Sequence, residues 1–336
     1  MMYAYHLLFH DPVHFGMEGI GQESIEQTLR SDSLWGAVLQ KWFLLFDDEP
    51  DALCCRPPFS VSSCFPLISG VRFLPLPIGA LDAVIEEAAK KVETSGKPTL
   101  KDWRRVKYLA EPLFREIIAG KQLRIDDIDL QQVYPMDLLD KDKPFLPIFQ
   151  KQEQRPRIRT DQLNGGVDEG SFFYCTDQFF VQDSGLFFLA SFDDRAAGDK
   201  FDAALRLLGD CGVGADRSTG RGGFSITRQQ FALPSDDTPT AWLSISLYHP
   251  TREDVKKGVL SGSSRYSLVK RSGPGGSFHV SRYRRADCWM LEEGSVLPFK
   301  VTGDTPCVLR KSEIIPHNIY RNGRAFCIPF QGGGAL

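Results

Sequence analysis

Gly209-Asp210-Cys211-Gly212-Val213-Gly214-Ala215-Asp216-Arg217-Ser218-Thr219-Gly220-Arg221-Gly222-Gly223-Phe224 holds six glycines and two arginines in its first fifteen residues. An amphipathic helical pattern over 196–208 runs into it, and a strand pattern over 225–231 follows. Glycine permits positive φ and lets another backbone approach with no Cβ in the way. Arg217 and Arg221 add charge, and Ser218 and Thr219 add hydroxyl donors, so the stretch suits a phosphodiester chain. It is not a mononucleotide P-loop, because it lacks Gly-Lys-Ser/Thr and lies after a helix. It is not a dinucleotide fingerprint either, because no strand precedes it. The competing interpretation is a helix cap followed by an ordinary turn.

Upstream of this loop, residues 3–10 alternate as a strand, and 11–30 form a polar loop with Gly16, Gly19 and Gly21. Ser31-Asp32-Ser33 supplies cap-type residues for a helix whose buried stripe is Leu34, Val38, Leu39 and Trp42. Residues 59–65 and 71–77 read as short strands, and 81–94 and 100–118 as helices. Six aspartates between 126 and 142 suggest an exposed acidic insertion. A Phe-rich strand block covers 170–192. This order fits a split β-α-β-β-α-β arrangement with an antiparallel sheet backed by two helices. Residues 233–239 are polar and Pro-flanked, the best linker, and 242–248 opens a second unit. The expected class is therefore α+β with two ferredoxin-like (RRM-like) domains, 1–235 with an insertion at about 81–150, and 236–336.

A chain of 336 residues is long enough for two domains. Phe supplies 24 of the aromatic residues, with 30 Gly and 21 Pro, which favours strands and shaped loops over a helical bundle. A net charge of −3 gives no global sign of nucleic-acid binding. No apolar run is long enough to span a membrane, and the start lacks the charged lead of a signal peptide. The eight cysteines are scattered, which fits reduced thiols in a cytoplasmic protein. No ligand pair is spaced for zinc, so neither a metal nor a cofactor is expected.

Local charge is less even. Residues 255–286 carry eight basic side chains and no acidic one, with Tyr266, Phe278, His279 and Tyr283 interleaved, as an RNA- or partner-facing segment would. Arg155, Arg157 and Arg159 alternate, so an extended segment would put all three on one side, either following phosphates or pairing with Asp161 and Asp168. Catalytic constellations are weak. His14 could serve as a general base, although a structural role suits it better.

The ordering of these features resembles the RAMP proteins of type III CRISPR interference complexes. The resemblance rests on Gly19-Ile20, Ser31 to Ala37, Ser62-Ser63-Cys64-Phe65-Pro66, the glycine loop, and Ile319-Tyr320-Arg321-Asn322-Gly323-Arg324-Ala325-Phe326-Cys327-Ile328-Pro329. It is most similar to the fourth-subunit family of the type III-A Csm complex. That resemblance implies a non-catalytic scaffold that holds the 5′ repeat-derived handle of CRISPR RNA. It also implies docking to the large polymerase-like Csm subunit and to a backbone RAMP subunit. Gly19, Ile20, Ser31, Gly212, Gly214, Arg217, Ser218, Gly220, Arg221 and Gly222 fall on the family's motifs as RNA-binding candidates. Arg155, Arg157 and Arg159 are added on physical grounds alone. The alternatives are a CRISPR repeat endoribonuclease of the same superfamily and the equivalent subunit of another type III complex.

Overall fold

A computed structural model describes residues 2–16, 24–90, 97–136, 149–160, 166–233, 238–274, 283–315 and 317–331. Strand β1 (Met2–Phe9) leads through the 10–30 segment into α1 (Ser31–Leu45), then α2 (Pro50–Cys55), β2 (Phe59–Val61), β3 (Phe65–Ile68) and β4 (Val71–Pro75). Next come α3 (Asp82–Lys90), α4 (Leu100–Arg105), β5 (Tyr108–Ala110), α5 (Glu111–Ile118) and β6 (Val133–Tyr134). A long hairpin of β7 (Gln150–Thr160) and β8 (Val167–Phe180) precedes β9 (Gly185–Phe192), α6 (Arg195–Cys211) and β10 (Phe224–Phe231).

All of these strands but the β7–β8 hairpin, which is a sheet of its own, build one sheet in the order β10-β1-β9-β3-β4-β5-β6, with β2 also paired to β9. Taking β1, β3, β9 and β10 as first to fourth, the order is 4-1-3-2, with α1 after the first and α6 after the third. That is the split β-α-β-β-α-β topology. Helix α1 buries Leu34, Val38, Leu39 and Trp42 as its periodicity predicts. Helix α6 is capped by Asp194, which accepts from the Ala197 N–H, and buries Phe201, Ala204, Leu205 and Leu208.

Two expectations change here. The pattern over 100–118 is not one helix. Strand β5 interrupts it because Leu109 and Ala110 pair with β4 and enter the core, and Pro112 then restarts the helix in its first turn. In the described part of 126–142, Asp126, Asp127 and Asp129 are exposed as expected, but the stretch is anchored. Ile128, Val133 and Met136 are buried and β6 extends the sheet, so the aspartates there ride on a folded edge. Residues 137–148 lie outside the described residues, as do 91–94 of the helix reading over 81–94.

Beyond the linker, of which 234–237 also lie outside the described residues, the chain is built mainly of strands. It contains β11 (Ala241–Ser244), α7 (Arg252–Lys256), β12 (Leu268–Arg271), β13 (Cys288–Leu291), β14 (Ser295–Leu297), β15 (Cys307–Leu309), β16 (Ile319–Tyr320) and β17 (Cys327–Phe330). Its largest sheet has β11 between β14 and β17.

The main sheet is covered on both sides, which explains the Phe run. From β9, Leu186, Phe188 and Ala190 pack with α1 and α6 on one face. Phe187 and Leu189 pack on the other with α5 and with Leu243, Ile245, Val296, Ile328 and Phe330 of the C-terminal sheet. A strand buried on both faces reads as continuously apolar instead of alternating. This has a functional consequence: the open sheet face on which an RRM stacks bases is occupied here by protein.

Buried polar groups join the N-terminal sheet and α1 to the strands beyond 238. Asp32, at the start of α1, accepts from Arg271 Nε (3.0 Å) and Nη2 (3.1 Å) and from Arg321 Nη1 (2.5 Å). Arg30 pairs with Glu292 (3.1 Å) and Glu293 (3.2 Å). Ser63 N–H donates to the Ile245 carbonyl at 3.1 Å.

All eight cysteines are unpaired, with Cys54, Cys64, Cys175 and Cys288 buried. Thiol titration of the denatured, non-reduced protein should return eight groups; four or fewer would contradict this.

Candidate RNA-facing site

Helix α6 stops because Gly212 turns the chain with φ +77°. The loop is then laid against residues 12–15. Gly222 N–H donates to the Pro12 carbonyl (2.9 Å), Ala215 N–H to the His14 carbonyl (2.9 Å), and Val213 N–H to the Gly222 carbonyl (3.0 Å). A Cβ on Gly212, Gly214 or Gly222 would meet a carbonyl oxygen at 2.3, 2.6 or 2.0 Å respectively. These glycines let the loop pack on its own chain. Gly220 differs. Its φ is +76°, yet nothing lies within 4 Å of where its Cβ would stand. With Arg217, Ser218 and Thr219 it forms a short 3-10 turn that faces solvent.

The hairpin β7–β8 braces this turn. Arg221 grips Asp177 of β8 with Nε (2.8 Å) and Nη2 (2.7 Å), while Nη1 donates to Thr219 Oγ1 (2.7 Å). Asp177 is fully buried. Burial alone would raise its carboxyl, but the Arg221 fork, helped by Arg155 and Arg157, holds it below the usual carboxylate range. From β7, Arg157 pairs with Asp216 at 2.8 Å. Arg155 stays about half exposed, paired with Glu153 at 2.9 Å and resting over the Phe179 ring.

The arginines thus divide by partner. Arg217 makes no ion pair among the described residues, and Arg155 is partly available to solvent. Arg157 and Arg221 are committed to carboxylates, which corrects the expectation that Arg221 would neutralise a phosphate. The 155/157 alternation holds, and the described partners are Glu153, Asp177 and Asp216. The side chains of Arg159, Asp161 and Asp168 lie outside the described residues.

Residues 238–330 match the family described as the CRISPR Csm4 C-terminal domain. Over 269 residues the chain is 24% identical to the CRISPR system Cms protein Csm4 of Thermococcus onnurineus (strain NA1), covering 79% of this chain and 78% of that protein. The chain is Csm4-like. Its fold matches a chain of the crystal structure of a Csm3–Csm4 subcomplex in the type III-A CRISPR-Cas interference complex. There the TM-score is 0.62 and the identity 14%, over 98% of this chain and 99% of that one. A chain of a Csm1–Csm4 cassette in complex with AMPPNP gives 0.60 at 17% identity over 99% of each chain.

The remaining candidates of the Csm4-like chain fall as follows. Gly19 and Ile20 lie outside the described residues. Ser31 is not surface: it is fully buried, its N–H donates to Ser63 Oγ (2.8 Å) and its Oγ accepts from Leu247 N–H (3.0 Å). His14 is also buried, its Nδ1 donating to the Thr176 carbonyl (2.8 Å) with Cys175 Sγ at 3.7 Å, so it is poorly placed to act as a general base. Among the described residues no group of three His, Cys, Asp or Glu side chains could hold a metal. None of their helices is long and apolar enough to cross a membrane.

Part of the basic 255–286 segment is paired within the chain, some of it on the surface. Arg265 pairs with Asp82 (2.7 Å), Lys270 with Asp287 (2.7 Å) and Lys257 with Glu253 (2.8 Å). Arg271 is buried on Asp32. Phe278, His279 and Arg282 lie outside the described residues. Sequence reasoning missed Asp32, Asp177, Asp216 and Arg321 as structural carboxylates and guanidiniums. Arg321 stood in a quoted motif, but nothing local announced its partner.

Proposed function

We propose that this Csm4-like chain is a non-catalytic RNA-binding scaffold of a type III-A Csm complex that holds the 5′ repeat-derived handle of CRISPR RNA. One observation carries the proposal: a rigidly mounted, solvent-facing turn, Arg217 to Gly220, offers a cation, hydroxyls and an unobstructed glycine. Single-stranded RNA is held by backbone clamping and 2′-hydroxyl contacts of this kind. With the sheet faces covered, recognition falls to this loop and its surroundings. There Arg155 of β7 adds a second partly exposed cation; Gly19 and Ile20 remain candidates by family position alone.

Its partners are the large polymerase-like Csm subunit and a backbone RAMP subunit, supported by the Csm1–Csm4 and Csm3–Csm4 assemblies that contain similar chains. The organisation we propose is 1–235 and 236–336, acting in the cytoplasm.

Co-purification of the tagged chain with candidate partners, followed by sequencing of bound RNA, tests the reading. Csm subunits and RNAs sharing one repeat-derived 5′ end are expected. Recovery of random RNA and no Csm subunit would overturn it. Purified chain incubated with repeat RNA should leave it intact. Site-specific cleavage lost in His14→Ala would instead establish the endoribonuclease.

A further inference from the structure

The cation in the glycine loop with the strongest bonds faces inward. Arg221 Nε and Nη2 lie 2.8 and 2.7 Å from the two oxygens of Asp177, and its third donor reaches Thr219 Oγ1 at 2.7 Å. Thr219 Oγ1 in turn donates to the Asp216 carbonyl at 2.8 Å. Asp216 holds left-handed backbone, φ +57°, and its carboxylate takes Arg157 from β7. A chain of bonds therefore runs from the buried face of the hairpin, through Arg221 and Thr219, to the exposed turn.

We propose that Asp177 and Arg221 are positioning residues for RNA binding, so that a buried carboxylate strengthens the capture of a polyanion by fixing the turn that presents Arg217, Ser218 and Gly220. The proposal rests on the reading of the loop as the RNA contact. Bidentate guanidinium–carboxylate pairing fixes orientation as well as distance, which a lysine cannot reproduce. Among the described residues, the turn 217–220 is otherwise held by Thr219 N–H and Oγ1 to the Asp216 carbonyl, by Gly220 N–H to the Arg217 carbonyl, and at its start by the Asp216–Arg157 pair. Asp216 ties the start of the turn to β7, and Arg221 ties its end to the buried Asp177 of β8 while also holding Thr219.

The sign of one substitution separates positioning from plain charge. Asp177→Asn removes a negative charge near the RNA and keeps the side-chain shape. If charge alone mattered, binding of a 5′-labelled oligoribonucleotide with the repeat-derived 5′ sequence would tighten. Positioning predicts that it weakens by about tenfold or more, the loss of roughly one charge-assisted hydrogen bond. Arg221→Lys, which keeps the charge, should weaken it comparably, and the double variant should be no worse than the weaker single one. Thermal unfolding of the full chain checks that each variant folds. Should Asp177→Asn not fold, Arg221→Lys decides alone.

Unchanged or tighter binding by Asp177→Asn, or wild-type binding by Arg221→Lys, would overturn the positioning role. Arg217→Ala is measured beside them. If it weakens binding while the pair does not, only this inference fails; if it also has no effect, the RNA-contact reading itself fails.

Discussion

Asp32→Ala should lower the unfolding free energy by about 3–5 kcal/mol, because it leaves Arg271 and Arg321 as buried guanidiniums without their shared carboxylate. The triad joins α1 to β12 and to the segment after β16, so the loss should appear as one shifted denaturant transition. A shift under about 1 kcal/mol would show that the triad is not what holds α1 to the strands beyond 238. The pH dependence has a definite sign. Burial alone would raise the Asp32 carboxyl, but the two arginines outweigh it and hold it below its ordinary range. Its stabilisation is therefore complete above the unfolded value of about 3.9 and drains away as pH falls through the lower folded value. Asp32→Asn should flatten that acid limb.

Gly222→Val should be the most damaging change in the glycine loop. The position has φ +77°, and a Cβ there would stand 2.0 Å from the Val213 carbonyl oxygen. Backbone strain alone costs about 1–3 kcal/mol, and the loop must also leave residues 12–15. Gly220→Asn is the matched control. Asn tolerates left-handed backbone and nothing stands in its way, so stability should change by no more than about 0.5 kcal/mol. Unfolding curves in which both variants match wild type, or both fall equally, would contradict this division of the glycines.

The parts of the fold legible in the sequence were those that local periodicity encodes. The stripe of Leu34, Val38, Leu39 and Trp42 and the helix–loop–strand around the glycines depend only on neighbours in the chain. Strands β5 and β6 were not legible, because they are short and their sheet role depends on pairing, β5 with β4 and β6 with β5. The Phe run signalled strand but not the second covered face, which α5 and residues beyond 240 supply.

Site roles followed the same limit. Arg217 and Arg221 sit in one loop and share one chemistry. What separates them is Asp177, 44 residues from Arg221 in the chain, brought close by the hairpin. Likewise, Ser31 sits in a motif that suggested a surface role, yet its partner Leu247 lies 216 residues away and buries it.

The most direct measurement of the central claim is the affinity of the full chain for the 5′-labelled handle RNA across a salt series, wild type against Arg217→Ala. If the turn contacts the ribose-phosphate chain, one cation meets one phosphate there. The slope of log affinity against log salt should then lose about 0.7 in magnitude, the value for one single-strand phosphate. The melting temperature should not move, since Arg217 makes no ion pair among the described residues. An Arg217→Ala protein with wild-type affinity and an unchanged slope would contradict the account.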